Sequence, residues 1–132
     1  MAARRWPEPV SSHPHPPAAR RAERWRADSG TRDVVKLDIP ADAQRERTFE
    51  IDVRLLVANK AGRGDATHAL RVLVDGALEW SRSAPTHRDG ADSLDLRLRR
   101  VVPVGRPLRL SASCELKGAQ RTRLSISAEE ET

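Results

Sequence analysis

The chain offers few residues whose type and spacing could do chemistry, and each group has a plainer use. Ser81, Ser83 and His87 place hydroxyls within a few residues of an imidazole. Acyl transfer needs such a nucleophile and base on a strained elbow facing an oxyanion hole, and no Gly-x-Ser-x-Gly run is present. Cys114, the single cysteine, alternates with apolar neighbours that keep a thiol protonated and unreactive, and one cysteine forms no internal disulfide. His13 and His15 are fewer ligands than a structural zinc site takes. Asp89, Asp92 and Asp95 bring carboxylates to one polar stretch. Calcium needs about six to eight oxygens, and Asp is also an ordinary turn residue. Arg63-Gly64-Asp65 is the tripeptide that integrins recognise, and Lys60–Gly64 offers backbone amides to an anion. The Gly-Lys-Ser/Thr ending of a phosphate loop is missing, so this stretch reads as a turn-forming loop. The sequence thus predicts a non-enzyme with no cofactor and no metal.

Trp6 and Trp25 are the side chains that stand out. The chain has three Trp, one Phe and no Tyr, and two of the three Trp lie in the first 33 residues beside arginines. Trp and Arg dominate interface hot spots. Trp6 and Trp25 are therefore expected to anchor a partner, with Arg4, Arg5, Arg20, Arg21, Arg24 and Arg26 touching carboxylate or phosphate groups. The competing expectation is that the arm folds back and covers an edge of its own domain. Residues 1–33 hold seven Arg against four acidic residues; the rest is nearly balanced, at 17 basic against 15 acidic, within a net charge of +5. A basic arm with Trp also admits weak nucleic-acid contact.

These residues must be held by something, and the rest of the sequence says what. Thr48–Leu55 puts an apolar side chain at every second position, the period of a half-buried strand. The same alternation recurs at Val35–Ile39, Leu70–Val74, Leu94–Leu98, Leu108–Leu116 and Leu124–Ile126. Asp75-Gly76 predicts a two-residue hairpin, and Lys117–Gln120 predicts another. Asn59–Thr67 and Ser81–Ser93 read as polar loops. The fold class is therefore all-β: an antiparallel β-sandwich, jelly-roll or immunoglobulin-like, over 34–128. It follows a basic Pro/Arg-rich arm at 1–33 and precedes a solvated acidic tip at 129–132. The Pro-rich start predicts extended chain, and Pro17–Ala27 predicts a short helix ended by Gly30. No apolar stretch approaches the roughly 20 residues of a membrane span, and no secretory signal is recognisable.

Leu70-Arg71-Val72-Leu73-Val74-Asp75-Gly76-Ala77-Leu78-Glu79-Trp80-Ser81 is similar to the central hairpin of carbohydrate-binding modules of the galactose-binding-like class. Gly105-Arg106-Pro107-Leu108-Arg109-Leu110 resembles the strand that follows it there. The resemblance implies a jelly-roll sandwich and a glycan ligand. Such recognition uses an exposed aromatic platform, whereas Phe49 and Trp80 are expected to point inward. The principal expectation is a non-catalytic structural or accessory subunit, for example a virion or shell component. It would dock into a larger assembly, or form a homo-oligomer, through its arm and one sheet face. A carbohydrate-binding module and a nucleic-acid-contacting protein are the alternatives. The expected location is the cytoplasm or an assembled particle, away from membranes.

Overall fold

The computed structural model describes residues 21–59 and 61–132. Its strands are β1 (Arg24–Asp28), β2 (Val34–Ile39), β3 (Arg47–Asn59), β4 (Thr67–Val74), β5 (Ala77–Pro85), β6 (Gly90–Val102), β7 (Leu108–Lys117) and β8 (Gln120–Glu130). They form two antiparallel four-stranded sheets, in the order β1-β8-β3-β6 and β2-β7-β4-β5. Alternation decides which side of each strand is buried. β3 sends Phe49, Ile51, Val53, Leu55 and Val57 into the core, each at most 1% exposed, and pairs with β6 on one side and β8 on the other. The second sheet answers with inward residues of its own, among them Ile39, Leu70, Val72, Leu110 and Ala112. At one lateral edge β1 lies close to β2 and β7 close to β8. At the other edge stand β5 and β6, bridged by an ion pair between Arg100 and Glu79.

The Asp75-Gly76 turn is as expected. Both residues have positive φ, 51° and 83°, which a two-residue turn between twisted strands requires. Asp75 further accepts the Arg109 amide through Oδ1, tying the turn to β7.

Four expectations are corrected. No helix is present at the described part of Pro17–Ala27. Arg24–Asp28 is a strand paired to β8, because Trp25 and Ala27 then face the core while Arg24 and Arg26 face solvent. A narrow Ala/Trp stripe adds little to a short helix, whereas the open edge of β8 offers a full ladder of hydrogen bonds. Lys117–Gln120 does not close a hairpin, since β7 and β8 lie in different sheets. Ser81–Ser93 is not one long loop. β5 runs to Pro85 and β6 starts at Gly90, and their polarity is that of edge strands. The acidic tip is not solvated at Glu130, which is buried in the last position of β8. A bulge between Val72 and Leu73 also shifts the β4–β5 register, so Trp80 packs toward the core while Leu78, two residues away, is exposed.

Trp25 lies half-buried against the core from β1. Trp25→Ala is expected to lower unfolding free energy by about 1–2 kcal/mol in urea titration, less than a fully buried Trp because β1 is an edge strand.

Candidate functional site

The most concentrated charge cluster lies where the chain enters β1, leaves β2 for β3, and ends β8. Arg47 occupies an inward position of β3, one alternation before Phe49, and its side chain is 2% exposed. A buried guanidinium must be paired. Its Nη1 donates to Glu23 Oε1 at 2.8 Å and its Nη2 to the Pro40 carbonyl at 2.8 Å, with the charged group 5.3 Å from the Phe49 ring centre. Arg45 donates Nη2 to Glu23 Oε2 at 2.8 Å and to Glu130 Oε1 at 3.1 Å, and also pairs with Glu130 through Nη1. Glu130 is 4% exposed at its side chain and accepts the Glu23 amide at 3.0 Å. The Glu130 amide in turn donates to the Glu23 carbonyl at 2.9 Å, and Trp25 Nε1 donates to Glu23 Oε1 at 3.0 Å. Asp42 caps the Gln44 and Arg45 amides, which holds its carboxyl below the usual range. The contacts among Glu23, Arg45, Arg47 and Glu130 join the starts of β1 and β3 to the end of β8, so the cluster acts as a clamp on these strands.

A second buried polar group sits at the opposite end of the sandwich. His68, inward on β4, shares a 2.7 Å hydrogen bond between Nδ1 and Thr86 Oγ1, while Nε2 has no partner among the described residues. Burial pushes the imidazole below its ordinary pKa, and the nearby Asp92 carboxylate partly offsets this. Asp92 accepts the His87 and Ser93 amides, at 3.0 and 2.8 Å. Asp95 points the other way and pairs with Arg54 at 3.3 Å, so the Asp89, Asp92 and Asp95 carboxylates do not converge. Burial likewise pushes the Cys114 thiol up. Arg63 is occupied by Asp65 two residues on, at 3.1 Å.

The two outer faces differ sharply in chemistry. On the first sheet, registered rows place Arg24 beside Glu129, then Glu50, then Arg99, and Arg26 beside Ser127, then Asp52, then Arg97. Cross-strand pairs follow: Arg123–Asp28 at 3.0 Å, Arg54–Asp95 at 3.3 Å and Arg97–Asp52 at 3.9 Å. On the second sheet the outward positions of the central strands mix small or apolar residues, Ser111, Ser113, Ala69 and Leu73, with charged ones, Arg71 opposite Ser113, and Arg109 and Glu115 toward the ends of β7. Val34 and Leu78, 44% and 54% exposed, stand on its two edge strands. A depression of about 400 Å³ crosses this face between Arg71, Leu78, Ser81, Ser113 and Glu115.

Of the residues expected to meet a partner, Trp6, Arg4, Arg5 and Arg20 lie outside the described residues. Trp25 is half-buried on its own core, and Arg24 and Arg26 point outward on the charged face, Arg24 lying 3.9 Å from Glu129. Arg21 precedes β1 on the surface. Sequence reasoning missed Glu23, Arg45, Arg47, Glu130 and His68. Arg47, Glu130 and His68 each occupy the apolar parity of their strand, a readable sign of burial, but the sequence holds no sign of which partner each would find.

No protein-family model matches the chain, and no curated protein does. Among solved structures it is similar to the dimeric latent PorU from Porphyromonas gingivalis, at 14% identity and a TM-score of 0.44, over 83% of this chain and 13% of that one. The chain thus spans about an eighth of that protein's length.

Two predictions follow from the buried groups. Glu130→Ala strips partners from Arg45 and the Glu23 amide, and should lower stability by about 2–3 kcal/mol. The neighbouring exposed Glu129→Ala should stay within about 0.5 kcal/mol, both read by urea titration. The unfolded chain takes up a proton at His68 near the ordinary value of 6.5, while the folded chain resists it. Stability is therefore complete above that pH and falls as the solution is acidified through it toward the lower folded value. A His68→Leu variant should show a flatter slope of stability against pH between about 5 and 7, where ordinary carboxylates do not titrate.

Proposed function

We propose that the chain is a non-catalytic accessory subunit that docks into a larger protein assembly through the outer face of its second sheet and its N-terminal arm. The observation that carries this reading is the contrast between the two faces. Most of the first sheet's charges are paired with opposite charges on neighbouring strands, and exposed matched pairs have little to gain from a partner. The second sheet is less densely charged: Ser, Ala and Leu positions surround a shallow depression that holds Arg71 and Glu115, between exposed Val34 and Leu78, a mixture of apolar side chains and an arginine of the kind found at interface centres. The expected partner is a protein surface with an apolar side chain for the depression and a hydrogen-bond acceptor for Arg71.

The strand order, with β1 and β8 paired and, among the described residues, only β4 and β5 joined as a hairpin within one sheet, favours a jelly-roll over an immunoglobulin-like reading of the sandwich. Glycan binding in the manner of galactose-binding-like modules has less support. Phe49 is fully buried and Trp80 packs toward the core, so neither forms a platform. Nucleic-acid contact through the basic arm also ranks lower, because the arginines of the first sheet already face carboxylates.

Sedimentation of extracts from the source cells tests the proposal. The wild-type chain should travel with an assembly far heavier than itself. Ser113→Arg, which adds a second long cation beside Arg71 in the middle of the second sheet's face, should release it to the light fractions while a thermal melt shows that it folds. Ser127→Arg on the opposite face should not. A wild-type chain found only in light fractions, or two variants that behave alike, would overturn the docking face.

A further inference from the structure

Each sheet ends in two edge strands, and an edge exposes a row of unpaired backbone donors and acceptors that another strand can take up. Among the described residues, three of the four edges are guarded by shortness, proline or a bulge. β1 is five residues long. β2 is six residues long and runs straight into Pro40. β5 carries the register shift opposite Val72 and Leu73 and ends at Pro85. β6 differs from all of these. It is 13 residues long, contains no proline, and keeps one unbroken register against β3 from Val102 to Gly90. Its outer edge has no strand beside it among the described residues.

The sequence of β6 is also complementary to itself when reversed. Its first half carries Asp92 and Asp95 and its second half Arg97, Arg99 and Arg100. In an antiparallel pairing with a second copy, centred on Leu96, Asp95 stands opposite Arg97 and Asp92 opposite Arg100. Leu94 then faces Leu98, Leu96 faces itself, Ser93 faces Arg99 and Ala91 faces Val101. No like charges meet. Sliding the register by two residues, the smallest step that keeps inward side chains facing inward, breaks this. One direction sets Arg97 against Arg97, the other Asp95 against Asp95. The apolar side chains fit the same account. Leu96 and Leu98, inward on β6, and Trp80 on β5 are only partly covered, and Val101 is 50% exposed at the end of β6.

We infer that the protein forms a two-fold homodimer by antiparallel pairing of β6 with β6 of a second copy, centred on Leu96, which merges the two first sheets into one. This contact is separate from the docking face of the second sheet and does not depend on it. The pairs that Asp95 and Arg97 make within one chain, with Arg54 and Asp52, are exposed and add little to folding, so charge variants at these positions should fold.

Light scattering of the full chain at about 0.1 mM, where a Kd of ~10 μM leaves most molecules paired, should give twice the chain mass. Asp95→Arg alone and Arg97→Asp alone each set like charges opposite one another twice, and each should weaken association by ~100-fold or more. Mixing the two variants restores opposite charges at both contacts and should give a heterodimer. Thermal melts of each variant check folding. Amide exchange of the wild-type chain supplies a measure that needs no substitution: protection along β6 should rise with protein concentration. A wild-type chain that stays monomeric at this concentration, single variants that remain dimers, or a mixture that fails to pair would each overturn the inference. So would β6 exchange that ignores concentration.

Discussion

The buried guanidinium of Arg47 is the constraint from which the rest of the first sheet follows. Placed on the core side of β3, it has to find a carboxylate or remain an uncompensated charge. Glu23 supplies that carboxylate, and Glu23 immediately precedes β1. Arg45 then ties Glu23 to Glu130 at the end of β8. The pairing of β1 on β8 and of β8 on β3 is thus locked at its end by groups that are distant in sequence. The apolar core alone would not choose this arrangement, because Trp25 and Ala27 bury only moderate area. The charges specify which strand lies on the β8 edge.

With β1 held there, the short strands β1 and β2 lie side by side at one lateral edge, and the longer strands β5 and β6 stand at the opposite edge. The inward Arg100 of β6 reaches Glu79 of β5 across this gap. A charge turned inward on an edge strand is a common guard against stray pairing, since a wrong register would bury it unpaired. On β6 the same device selects among registers: Asp92 and Arg100 stand opposite each other in only one of the three registers compared. A guard against promiscuous association and a code for one specific association are physically the same arrangement of charge.

Much of the sandwich was legible from alternation. β2, β3, β4 and β7 fall where the apolar period of two placed them, and the Asp75-Gly76 turn was readable because its backbone conformation selects those residue types. What escaped has one cause, namely that pairing across long sequence distance leaves no local trace. Arg24–Asp28 has helix-compatible residues, and only the waiting edge of β8 makes it a strand. Gly118 marks a turn, but nothing local says that the turn carries the chain from one sheet to the other. The bulge at Val72 and Leu73 flips Leu78 outward against the simple period. The clamp was hidden for the same reason: Arg47 and Glu130 sit at apolar parity, so their burial could be read, yet the contacts that make burial tolerable come from residues 24 and 85 positions away. Of the residues expected to meet a partner, Trp25 illustrates the limit. Its rarity in the chain marked it as important, but composition does not separate an anchor for another molecule from an anchor for the chain's own first strand.

The geometry of strand pairing joins the two surfaces. A two-fold axis between antiparallel β6 strands runs perpendicular to the merged sheet, because inward residues must face inward ones on both sides. Both second sheets then lie on the same side of the merged sheet, and their outer faces look in the same direction. Two docking faces would be carried by one rigid platform whose other surface is densely covered with paired charges. A small face with one shallow depression offers few strong contacts on its own, and presenting it twice makes the second engagement intramolecular. The spacing between the faces is set by strands, not by a flexible linker, so it would favour partners that repeat at that spacing. A repeating assembly is such a partner, and the charged face turned away from it would keep the platform from stacking on further copies of itself.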